Sequence, residues 1–111
     1  MLGFIYVYTN SMFPNNIISI QFSTYNIDQF KNIINKNYID PIDILFIQPT
    51  VNIELLQYHL ELQLSNYKKT DNFYNISLKQ LKPIIRDIML KQIIETNINL
   101  FINPKYEMII H

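Results

Sequence analysis

Few side chains in this 111-residue sequence can do chemistry, and their types narrow what that chemistry is. There is no cysteine, which excludes thiolate nucleophiles, disulfides and sulfur-ligated metals. The two histidines, His59 and His111, are too few for a zinc constellation. What remains is a tyrosine pair, Tyr6 and Tyr8; a lone His59 among leucines, flanked by Glu54 and Glu61; and Lys68, Lys69, Lys79 and Lys82. A phenol or an imidazole can move a proton or hold a phosphate, and clustered lysines can follow a nucleic-acid backbone. Each group also has a plainer reading. Tyrosines alternating on a strand usually pack, a lone helix histidine usually satisfies itself locally, and helix carboxylates and lysines are usually solvated.

The elements that must position these groups follow from pattern. Residues 2–9 alternate as a strand, with Leu2, Phe4, Tyr6 and Tyr8 on one side and Ile5 and Val7 on the other. Residues 10–16, NSMFPNN, read as a loop, and 17–23 as a second strand with Ile18, Ile20 and Phe22 on one face. So short a connection favours an antiparallel hairpin. Asn26 is a helix cap, followed by Ile27, Phe30, Ile33 and Ile34 at helical spacing. The helix should stop before Asp40-Pro41, and 42–48 reads as a third strand.

Thr50 or Asn52 caps the next helix, expected to run to about Tyr67. Leu56, Leu60 and Leu64 form one stripe, broadened by Leu55, Tyr58 and Leu62, a width that predicts cover on more than one side. Residues 68–72 read as a polar turn and 73–76 as a short extended piece. Ser77 caps a last helix with Leu78, Leu81, Ile84, Ile85, Ile88 and Met89 on its apolar face, and Pro83 predicts a kink or restart. In the tail, Ile98, Leu100 and Ile102 alternate before Asn103-Pro104-Lys105, which predicts a terminal β-hairpin. The expected architecture is α+β: a small, mainly antiparallel three-stranded sheet flanked by helices over residues 1–90. A hairpin-like extension over 91–111 is expected to pack on or beyond it.

Composition bounds the function classes. Hydrophobic residues at 49% can bury a core at this length, so one domain is expected. A net charge of zero gives no support to strong sequence-independent DNA binding, which draws on a basic excess. The apolar runs are too short to span a bilayer and no signal peptide is expected, so the chain reads as intracellular. The abundance of Ile, Asn, Lys and Tyr fits an AT-rich gene, as in some large DNA viruses and phages.

Three stretches carry a resemblance. Gly3-Phe4-Ile5-Tyr6-Val7-Tyr8-Thr9-Asn10 resembles the first motif of the GIY-YIG nuclease superfamily, in the phage and large-DNA-virus branch often found beside BRO-type domains. Residues 19–24, SIQFST, stand where that family has Tyr-Ile-Gly or Lys-Ile-Gly followed by small hydroxyl residues. His59 precedes Phe73-Tyr74-Asn75-Ile76-Ser77 by a spacing similar to the branch's helix histidine and aromatic pair.

The resemblance implies a site built from a tyrosine on each strand, an arginine on the first helix and a metal-binding glutamate on the second. Only Tyr6 carries over. Ser19 stands at the second tyrosine, Gln21 at its glycine, Phe30 at about the arginine and Leu55 at the glutamate. Tyr6 and His59 are then vestigial catalytic residues, and Tyr8, Ser19, Lys68 and Lys69 are candidate nucleic-acid contacts. Glu54 is a displaced candidate for a metal ligand, with Glu61 as its alternative.

The function expected is a degenerate, catalytically inactive GIY-YIG-like domain kept as a binding or interaction module, viral in origin, with no cofactor. One alternative is a weak endonuclease using magnesium or manganese; another is a DNA-binding accessory domain. A homodimer or protein partner is expected to engage the C-terminal extension. In a host cell the chain would lie in cytoplasm or nucleus.

Overall fold

A computed structural model describes residues 2–102 of the chain. Its strands are β1 (Gly3–Thr9), β2 (Ile17–Ser23), β3 (Asp43–Thr50), β4 (Lys68–Thr70) and β5 (Phe73–Asn75). Its helices are α1 (Ile27–Asn35), α2 (Ile53–Gln63) and α3 (Leu78–Ile102). The strands form one antiparallel sheet in the order β3-β1-β2-β5-β4. The α+β class and antiparallel pairing match the expectation, but the sheet has five strands rather than three. The short extended piece became β5, paired with β2 through Ile18 and Tyr74. The supposed polar turn holds β4, whose three residues are all exposed and show no apolar alternation to read.

Residues meant to cap do cap. The Asn26 side chain accepts from the Gln29 amide at 2.9 Å while Gln29 accepts from the Asn26 amide at 3.3 Å, a reciprocal box that starts α1. At α2 the cap is Asn52, accepting from the Leu55 amide at 3.1 Å. That helix ends at Gln63 and gives way to a 3-10 turn, Ser65–Tyr67, so it is shorter than expected. Ser77 Oγ accepts from the Gln80 amide at 3.1 Å ahead of α3.

The α3 helix continues through Pro83 without a restart. Proline there removes one bond, to the carbonyl of Lys79, an exposed residue near the helix start where water can take its place. The helix then covers 97–102, where the first arm of a hairpin was expected. Ile94, Ile98 and Phe101 also recur at helical spacing, and extending a formed helix gains one hydrogen bond per added residue. The expected second arm, Tyr106, Met108 and Ile110, lies outside the described residues.

The pleat of β1 divides the core. Tyr6 and Tyr8 pack with Phe30 and Ile34 of α1 and with Ile42 on one face. Ile5 and Val7 pack on the other with Ile18 and Ile20 of β2, Leu56, Leu60 and Leu64 of and just beyond α2, and Leu81, Ile85 and Ile88 of α3. The sheet is therefore a middle layer between α1 and the α2–α3 pair. A bulge where β3 passes Val7 and Tyr8 leaves Leu45 unpaired, and both Leu45 and Phe46 join the α2–α3 side. Among the described residues no helix is long and apolar enough to cross a membrane.

Candidate functional site

The β1–β2 hairpin places the tyrosines. Tyr6 lies across from Gln21 of β2 and Ile47 of β3, fully buried. Its ring stacks on Phe30, with centroids 4.0 Å apart, and its hydroxyl donates to the Tyr25 carbonyl at 2.6 Å. Burial pushes its phenol above the ordinary value of 10.0. Tyr8 is 1% exposed and its hydroxyl accepts from Gln21 Nε2 at 2.6 Å. Phe30 is itself buried and meets the Tyr8 ring as well. Ser19, also buried, shares the tyrosine face through its pairing with Tyr8, and its hydroxyl accepts from the Asn72 amide.

His59 lies elsewhere. It is half-buried on α2, its ring edge-on to Tyr58, and α2 packs on the Ile5–Val7 side. The sheet stands between that helix and Tyr6. Glu54 is exposed in the first turn of α2, where hydrogen bonding from its own backbone amide holds its carboxyl below the ordinary range. Glu61 lines a cavity of about 330 Å³ with Gln21, Asp71 and Asn72, beside the part of β2 that β5 does not reach. Burial, and next the nearby Glu61 charge, push the Tyr74 phenol up. Among the described residues no three of His, Asp and Glu gather into a group that could hold a metal ion.

The lysines do not form one patch. Lys82 sits over the ring of Phe46 in β3, 5.4 Å from its centroid, whereas Lys68 and Lys69 belong to β4 at the opposite edge of the sheet. There Lys69 lines a cavity of about 720 Å³ between the β1–β2 loop, the end of α1 and the β4–β5 hairpin. Phe13 meets Tyr38 edge-on at 5.6 Å and Phe73 at 5.2 Å, so three half-buried rings form one wall. The loop that carries Phe13 is held by Asn10, which donates to the Asp40 carbonyl at 2.9 Å and accepts from the Met12 amide at 3.0 Å. Burial, and then the neighbouring Tyr8, push the Tyr38 phenol up. Sequence reasoning passed over Phe13 and Tyr38. Their one signal was an aromatic residue set among polar loop residues.

A second surface lies on α2. Leu56 and Leu60 turn to the core, but Leu55, Tyr58 and Leu62 are 41%, 59% and 59% exposed. Their spacing of three and four residues puts them in one row on the side away from the core. Val51, just ahead of the helix, is exposed too. The expected cover over this side of α2 does not come from the described residues.

Compared with family models, with curated proteins and with solved structures, the chain matches none.

Proposed function

We propose that this chain is a GIY-YIG-like domain that has given up nuclease chemistry and acts as an interaction module through the outer face of α2. The observation that carries this reading is Leu55. It holds the position where the resemblance calls for a metal-binding glutamate, and it belongs to the exposed apolar row with Tyr58 and Leu62. A contact surface stands where a ligand would. The sealed state of Tyr6, stacked on Phe30 with its hydroxyl engaged, agrees with a scaffold residue more than with one that handles water.

An exposed row at this spacing suits the groove of another helix. Glu54 and Glu61 flank the row on one side, seven residues apart. In an antiparallel pair of α2 helices they would face their own copies, so a partner helix with lysine or arginine on its flanks fits better than a second copy.

The test has two arms. Supercoiled plasmid in low salt with magnesium or manganese should stay intact; nicking that disappears in Tyr6→Phe would overturn the loss of chemistry. A synthetic amphipathic helix with leucine at heptad core positions and lysine on its flanks should shift the amide resonances of Leu55, Tyr58 and Leu62. Those shifts should vanish in Leu55→Glu. No shift, or the same shift in the variant, would overturn the docking role.

A further inference from the structure

The α2 surface leaves the aromatic cavity at the β4 edge unaccounted for. Its wall is Phe13, Tyr38 and Phe73, each half-buried, so each presents part of a ring to the opening. Tyr38 and Phe73 each meet Phe13 edge-on, and Phe13 in turn leans at a tilt against the buried Tyr8. The floor therefore does not need to be ordered when something binds, which lowers the cost of binding.

Polar groups stand around the rings. Asn37 and Asn75 line the opening, both exposed, and their side-chain amides make no hydrogen bond among the described residues. A carboxamide offers a donor and an acceptor side by side, the pairing that a base edge presents. Among the described residues the one charged side chain lining the cavity is Lys69. Lys68 precedes it on β4 and Lys36 precedes Asn37, both exposed, and among the described residues no carboxylate lines the opening. Planar rings inside, carboxamides at the mouth and a lysine among the lining residues match a planar heterocycle attached to a phosphate.

We propose that this cavity binds an unstacked base of a single-stranded nucleic acid, with Phe13, Tyr38 and Phe73 forming the apolar face it packs on. Lys69 meets the adjoining phosphate. The local arrangement answers the zero net charge of the chain: a placed cation and a stacking surface bind a strand without a large basic field. A duplex keeps its bases paired inside the stack and has none to offer, so the cavity selects single strands. This site shares no residue with the α2 row and none with Tyr6, so it stands or falls separately from the reading above.

The experiment is fluorescence anisotropy of labelled oligo-dT and oligo-U with the full chain at low salt. A duplex and an abasic strand of equal length serve as controls. Saturable binding to one or both single strands is expected, and the ratio of the two distinguishes DNA from RNA. Binding should fall by about tenfold or more for the abasic strand. Lys69→Glu, at an exposed position, should weaken it by a similar factor, whereas Lys82→Glu at the far edge of the sheet changes net charge equally and should leave it unchanged. Asn75→Ala gives a second, uncharged variant at an exposed position and should also weaken binding. The absence of binding, equal binding to the abasic strand, or equal losses in Lys69→Glu and Lys82→Glu would each overturn the proposal.

Discussion

Gly3, the only glycine in the chain, is required by space rather than by backbone conformation. A Cβ at this position would lie 2.5 Å from Ile53 Cγ2 at the start of α2 and 2.8 Å from the carbonyl oxygen of Ser23 on β2. The glycine therefore lets a helix and a strand close over the beginning of β1. Gly3→Ala should lower stability by about 1–3 kcal/mol, because neither a backbone carbonyl nor a β-branched side chain can easily withdraw. Urea unfolding followed by circular dichroism measures this, and an unchanged midpoint would remove close approach as the reason for the glycine. Tyr6 is likewise fixed by close packing. A ring 4.0 Å away on Phe30 and a carbonyl at 2.6 Å give it a complete set of neighbours.

At the scale of elements, α2 has two apolar stripes with different fates. Leu60 is 1% exposed in the core, while Leu62, two residues on, is 59% exposed. Both are leucines on one helix, so propensity cannot distinguish them and burial must. Leu60→Ala should cost about 2–5 kcal/mol through lost transfer energy and the cavity left behind. Leu62→Gln should change stability by no more than about 0.5 kcal/mol. Comparable losses in both variants, measured by the same urea titration, would mean that the outer row is covered within the folded chain. The outcome therefore bears on the docking surface as well as on the core.

For the molecule as a whole, three phenols bear on stability at alkaline pH. Tyr6, Tyr38 and Tyr74 all have pKa values raised above 10.0, chiefly by burial. In the unfolded chain these groups lose protons as pH passes 10.0, whereas the folded chain holds them longer. Above that pH the unfolded state binds fewer protons, so stability falls as pH rises, and it is fully present below it. Tyr6→Phe removes one such group. Between neutral pH and about pH 11 the variant should lose less stability than the parent chain in paired urea titrations. Equal losses would mean that the Tyr6 phenol titrates alike in both states.

The helix caps Asn26 and Ser77, the alternation of β1 and β2, and the stop of α1 before Pro41 were legible because each depends on residues only a few positions apart. The same local chemistry made Asn52 a cap while leaving Thr50 a rival. It could not distinguish 97–102 as strand or helix, since a short apolar run satisfies both periods until a preceding helix extends into it. The β4 strand carried no apolar signal at all, and pairing with β5 is what makes it a strand. Of the site residues, Tyr6 and Tyr8 were readable as one face of a strand. That α1 would seal this face while α2 and His59 took the other depends on how the sheet is layered. The gathering of Phe13, Tyr38, Phe73 and Lys69 joins three separate segments, so no short window of sequence contains it. By itself the sequence determined the class of fold and the local starts and stops, because those are short-range hydrogen bonds and periodicities. Only the tertiary structure decided which surfaces are closed and which are open, because that depends on contacts between residues far apart in the chain.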